Sequence, residues 1–97
     1  MRIEILDEAV DDLERGFHFY EEQEPGIGDY FLNTLYSDIE SLRLYAGIHQ
    51  IVFGFHRCLS KRFPYAIYYD VQAERVRVHA VIDGRRNPAW IRRRLKH

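Results

Sequence analysis

Arg57, Lys61, Arg62, Arg75, Arg77, His79, Arg85 and Arg86 crowd into the second half of this chain, where the sequence also alternates like a sheet. From Arg75 to Ile82 a period of two puts Val76, Val78, Ala80 and Ile82 on one side, and Arg75, Arg77 and His79 on the other. One side asks for a core and the other for anions or water. Guanidiniums hold phosphate or carboxylate, and an imidazole among them can serve as general acid or base. Against this stands the plainer reading of solvated cations and a packing histidine.

Residues 1–48 hold three Arg against twelve Asp/Glu, and residues 49–97 hold eleven Lys/Arg against three Asp/Glu. The halves therefore balance at −9 and +8, and the total of −1 conceals a strong charge separation. Cys58 is the single cysteine, so the chain builds neither an internal disulfide nor a thiolate zinc site, which suits a reducing compartment. His18, His49, His56 and His97 show no spacing that brings two imidazoles onto one metal, and no cofactor is expected. No apolar run approaches the ~20 residues that cross a bilayer, and Met1 to Leu6 lacks a signal-peptide core. A cytoplasmic protein without membrane contact is the expectation.

Ninety-seven residues suit one domain, 1–97, able to bury roughly 60–65% of its unfolded surface. The elements that must position the cations are legible in order. Arg2 to Leu6 alternates as a strand. Asp7 is placed to cap a helix in which Ala9, Leu13, Gly16, Phe17 and Tyr20 recur at helical spacing through about Gln23. Pro25-Gly-Ile-Gly28 breaks the pattern, and Asp29 can cap a second helix whose stripe is Phe31, Leu35, Ile39 and Leu42, ending near Ala46-Gly47.

From His49 the period turns strand-like, in runs Gln50 to Phe55, Arg57 to Phe63, Tyr65 to Val71 and Arg75 to Ile82. Pro88 opens a last short helix, Ala89 to Leu95. The prediction is an α+β domain of order β-α-α-β-β-β-β-α, with a helical hairpin on one face of a mainly antiparallel sheet. On the partly open face Arg57, Lys61, Arg62, Arg75, Arg77, Arg85 and Arg86 would gather. Tyr68 should face away from Tyr69, Trp90 should pack the last helix onto the sheet, and Glu21 to Glu24 should be a solvated helix end.

Asp11-Asp-Leu13, Phe19-Tyr-Glu-Glu22, Pro25-Gly-Ile-Gly28, Lys61-Arg-Phe-Pro-Tyr-Ala-Ile-Tyr-Tyr69 and Val81-Ile-Asp-Gly-Arg-Arg-Asn-Pro88 together resemble the RelE/ParE toxins of bacterial toxin-antitoxin systems, close to plasmid-stabilisation proteins. The resemblance spans nearly the whole chain. It implies a toxin held inactive by a cognate antitoxin, with which it can form an oligomer. The family's activities are cleavage of messenger RNA on the ribosome, or inhibition of DNA gyrase in the ParE branch.

For a nuclease, the resemblance carries over Arg57 and Arg86 as phosphate clamps; because in-line attack by a 2′-hydroxyl needs a base, an acid and positive charge at the phosphate, a catalytic set would be completed by Arg62 for charge and by Lys61 or His79 for proton transfer, as substitutes for the family's own residues. In either branch Arg57, Arg62, Arg77, Arg85 and Arg86 would meet target or phosphate. The Lys that the nucleases carry two residues after the first basic position is Leu59 here, the Arg after Tyr65 is Ala66, and the terminal Tyr falls at Arg92, whose pKa above 12 suits it poorly to proton transfer. These departures favour the ParE-like branch over the endoribonuclease. A non-toxic relic or plain anion-binding module is the third reading.

Overall fold

In a computed structural model the described residues, 1–96, form β1 (Arg2–Ile5), α1 (Asp7–Gln23), α2 (Ile27–Glu40), α3 (Leu42–Tyr45), β2 (Ile51–Val52), β3 (Phe55–Leu59), β4 (Tyr65–Gln72), β5 (Arg75–Asp83) and α4 (Pro88–Lys96). His97, considered above with the other histidines, lies outside the described residues. The sheet order is β1-β5-β4-β3-β2, with β1 parallel to β5 and every other pair antiparallel. This is the expected α+β order with one added turn of helix, α3, after the break at Ser41.

Helix α1 leaves the sheet without a side-chain cap. Leu6, not Asp7, is its N-cap, because the Leu6 amide still donates to the Val78 carbonyl and so prolongs the β1 ladder up to the first helical residue. Asp7 and Glu8 then sit in the first turn, where the helix dipole favours anions. Asp29 does not cap α2 either. Gly26, at φ +95°, takes that place, and the Glu21 carboxylate reaches from the end of α1 to accept from the Gly26 and Gly28 amides. Glu21 is therefore a helix cap in the hairpin turn, not a solvated helix end.

The two helices close tightly at Gly16, where a Cβ would stand 2.5 Å from Cζ of Phe31. Phe31 is fully buried and its ring meets those of Tyr20, Phe63 and Tyr65. Together with Ala9, Leu13, Leu35, Ile39 and Leu42, it presses on Ile67, Tyr69, Val76, Val78 and Val81 to make the inner core between hairpin and sheet.

The period-two reading of β5 fails midway. Tyr68 pairs with Ala80 and Tyr69 with Val78, leaving His79 as the extra residue of a β-bulge. Val76 and Val78 face the hairpin as Val81 does, whereas Ala80 and Ile82 turn to the outer face, so the expected single apolar side is split two and two. There, with Ala66 and Tyr68, they meet Ile91 and Leu95 of α4 in a second, outer core. Tyr68 and Tyr69 do face opposite sides, and Trp90 packs against the outer core.

Strands β2 and β3 are shorter than expected. The run Gln50 to Phe55 is interrupted by a tight turn at Phe53 and Gly54, both at positive φ, and the run Arg57 to Phe63 ends at Leu59 before the loop to Pro64.

Asp12 ties these layers together. Its side chain, 3% exposed, accepts from the Val81 amide at 2.9 Å, from Arg94 Nη2 at 2.6 Å and from Arg15 Nη2 at 2.7 Å. We expect Asp12→Ala to cost about 3 kcal/mol in urea unfolding, since it leaves a buried amide and a mostly buried guanidinium without their acceptor; Asp12→Asn, which can still accept from Val81, should cost less. Gly16→Ala should lower stability by roughly 1–3 kcal/mol through its collision with Phe31, and Phe31→Leu in the same chain should recover part of that loss.

Candidate functional site

The outer face of the sheet carries four of the expected side chains, Arg57, Arg75, Arg77 and His79. Cross-strand neighbours share a face. Arg57 pairs with Tyr68 across β3 and β4, and Asp70 pairs with Arg77 across β4 and β5, with His79 in the adjacent bulge. Arg77 grips Asp70 with two bonds, Nε to Oδ1 at 3.1 Å and Nη2 to Oδ2 at 3.0 Å, while His79 Nε2 donates to the same Oδ2 at 2.9 Å. Burial alone would raise the Asp70 carboxyl, but these bonds outweigh it and hold the group below its usual range. The bulge, which no composition or period announces, is what swings His79 onto Asp70 and against the Phe55 ring at 4.7 Å.

The remaining cations are elsewhere, so the expected gathering of seven on one open face does not occur. Lys61 and Arg62 stand in the β3–β4 loop and line a cleft against α2, because Asp38 of that helix accepts from Ser60 Oγ at 2.8 Å and from the Lys61 amide at 3.4 Å. Arg85 folds back on Asp83, while Arg75, on the outer face beside Arg77, is engaged by Glu4. Arg86 lies 4.2 Å over the Trp90 ring, at a cleft of about 390 Å³ bounded by α1, β5 and α4 and lined by Asp12, Arg15, Phe19 and Tyr65. Helix α4 covers the middle of the outer face, which removes the open surface the sequence suggested.

Titration in that cleft follows burial. The Tyr65 phenol is pushed up to about 12, first by burial and then by Tyr20 and Asp83, so it is no base near neutrality. Burial also raises Asp12, against the Val81 amide, Arg94 and Arg15, which favour its charged form. The Cys58 thiol is raised by burial and by Asp38, so it lacks the character of a nucleophile. Among the described residues no group of three His, Cys, Asp or Glu side chains is placed to hold a metal, and no helix is long and apolar enough to cross a membrane.

Asp70 and Asp12 are the residues the sequence reading missed. Asp70 stood visible at the end of a strand run, but its partners are fixed only by strand register. A second unforeseen cluster surrounds Tyr69, whose hydroxyl accepts from the Gly47 amide at 2.9 Å and shares a hydrogen bond with His49 Nδ1 at 2.5 Å. His56 stacks on the same ring and donates to the His49 carbonyl. These contacts fasten the α3–β2 connection, beside which Leu44, Tyr45, Ile48 and Ile51 stay exposed.

No protein-family model matches the chain, and no curated protein matches it. A solved structure does: a chain in the chromosomal ParDE TA system from P. aeruginosa superposes with a TM-score of 0.78, at 16% identity, covering 86% of this chain and 95% of that one. The protein thus has the ParE-like fold that its motifs suggested.

The depressed Asp70 carboxyl fixes a pH dependence. Its contribution to stability is complete above the unfolded value of 3.8 and is lost as pH falls through the lower folded value. Urea midpoints measured against pH should therefore show Asp70→Asn less stable than the parent near neutrality, with the gap closing in acid.

Proposed function

We propose that this ParE-like chain is the toxin component of a type II toxin-antitoxin pair, which arrests growth by binding a cellular protein such as DNA gyrase and is neutralised by its cognate antitoxin. The likeness in fold to a chain of the ParDE system supports the first half of that reading. One observation favours binding over RNA cleavage: the two groups offered for proton transfer stand on opposite sides of the sheet. Lys61 lines the α2 cleft, and His79 is bound to Asp70 on the outer face. General acid–base catalysis needs both within hydrogen-bond reach of one substrate.

Target contact then rests chiefly on Arg57 and Arg86. Arg77 and Arg85 are each neutralised by a carboxylate two hydrogen bonds deep, whereas neither Arg57 nor Arg86 has an ion pair among the described residues. The antitoxin would cover the exposed Leu44, Tyr45, Ile48 and Ile51 with an amphipathic segment, in a hetero-oligomer.

A ribosome-dependent endoribonuclease is the second reading, favoured by the His79–Asp70 hydrogen bond, which orients an imidazole on the same face as Arg57. Expression should halt growth with transcript 5′ ends unchanged, and the purified protein should inhibit gyrase supercoiling; Arg57→Ala and Arg86→Ala should each relieve the arrest without loss of fold. New transcript ends that vanish in His79→Ala would establish the nuclease instead. Unimpeded growth would mark a copy that has lost its toxicity.

A further inference from the structure

The α3–β2 connection, residues 46–50, is fastened to the sheet by a cluster of side chains that the proposed function does not use. Its anchor is the hydroxyl of Tyr69 on β4, a fully buried residue. The Tyr69 oxygen accepts from the Gly47 amide at 2.9 Å and meets His49 Nδ1 at 2.5 Å. The His49 ring stands edge-on to the Tyr69 ring at 5.6 Å, and His56 of β3 stacks on that ring at 5.0 Å while donating from Nδ1 to the His49 carbonyl at 2.7 Å. The proton count fixes the roles in this cluster. Burial raises the Tyr69 phenol, so it keeps its proton near neutrality. With the Gly47 amide already donating to the oxygen, that proton has no acceptor among the described residues except His49 Nδ1. The imidazole is then neutral, with its own proton on Nε2.

We infer that His49, Tyr69 and His56 form an acid-sensitive latch: a proton taken up on His49 Nδ1 turns the acceptor into a donor facing the Tyr69 O–H, and the 46–50 connection is released from β4. Two donors cannot share one bond, and a hydroxyl turned aside meets only the apolar inner core, where an unmet donor costs more than the bond contributes. The surroundings give an imidazolium no relief. His56 and Cys58 of β3 and Tyr69 of β4 are the titratable groups facing it, Asp38 and Lys61 act on Cys58 from further out, and no carboxylate acts on His49 among the described residues. Burial and then His56 hold the His49 pKa below 6.5. The latch therefore stabilises fully above that value, and its contribution is lost as pH falls toward the lower folded one. Strand β2, which follows the connection, is two residues long and pairs only with β3, so it adds little hold of its own. Leu44, Tyr45, Ile48 and Ile51 are exposed on and beside this segment, and a partner resting on them loses a rigid footing in acid. The latch does not depend on the chain being a toxin.

The test is imidazole NMR and amide hydrogen exchange on the whole protein. Ring nitrogen shifts at about pH 8 should show His49 as the Nε2–H tautomer. The protection factor of the Gly47 amide should fall roughly tenfold between about pH 7.5 and about pH 5.5, because an imidazole that ionises freely at 6.5 gains that much over one held neutral. Amides in the middle of β5 should keep their protection. His49→Asn, whose Oδ1 accepts at either pH, should hold Gly47 protection constant across the range, and Tyr69→Phe should show weak Gly47 protection throughout. His56→Gln leaves the His49–Tyr69 bond in place and should keep the fall. An Nδ1–H tautomer of His49 at about pH 8, or Gly47 protection that ignores pH, would overturn the latch, and both readouts come from the parent protein without any variant. A fall that persists in His49→Asn, or that vanishes in His56→Gln, would assign the titration to another group and defeat the proposal equally. The Asp70 effect lies below 3.8, outside this window.

Discussion

A single buried carboxylate makes the arrangement of layers possible. Strand β1 ends at Ile5, opposite Val78, so β5 continues past its neighbour with an edge that has no strand to bond. Buried backbone donors must find acceptors, and Asp12 of α1 provides one for the Val81 amide just beyond the gap. The same carboxylate holds Arg94, whose guanidinium also reaches the carbonyls of Glu8 and His79. Helix α1, strand β5 and helix α4 therefore meet at one residue. Without it the outer core would depend on the small contact area of a nine-residue helix.

The elements were legible in the sequence because their signals are local. Helical spacing of Leu13, Phe31, Leu35 and Ile39 and the turn at Pro25 to Gly28 depend on neighbours within a few positions. What joins the elements is not local. Asp12 and Arg94 are 82 positions apart: helical spacing puts Asp12, between Ala9 and Gly16, on the buried stripe and Asp11 off it, but nothing local shows that a carboxylate there meets Arg94 and the Val81 amide. The caps failed for a related reason: Asp7 and Asp29 have the right side chains, but Leu6 is still held by β5 and Glu21 arrives from the preceding helix. In β5 the alternation holds as far as Val78. The bulge then inserted His79 and reversed the faces, a choice made by the register with β4.

Charge illustrates how far composition leads and where it stops. The −9 and +8 of the two halves suggested a separated field, yet Arg94–Asp12 and Arg75–Glu4 join one half to the other. Arg77–Asp70 and Arg85–Asp83 neutralise cations within the basic half itself. Most of these pairs form between strands or layers, so they are consequences of topology. The cations left without carboxylates are divided among the outer face, the loop against α2 and the length of α4, and no single surface inherits the charge of its sequence half.

That division is the physical ground for reading the molecule as a binder. A phosphodiester cleavage site concentrates its acid, base and positive charge at one atom and excludes water there. Here α4 lies across the middle of the sheet's outer face, with Tyr68 1% exposed beneath it and the His79 imidazole at its margin engaged by Asp70. The groups that remain accessible are spread and chemically simple: Arg57, Arg86 over Trp90, the Lys61–Arg62 pair, and the apolar strip from Leu44 to Ile51. Dispersed anchors of this kind suit contact with extended protein surfaces, where affinity comes from several separated side chains acting together.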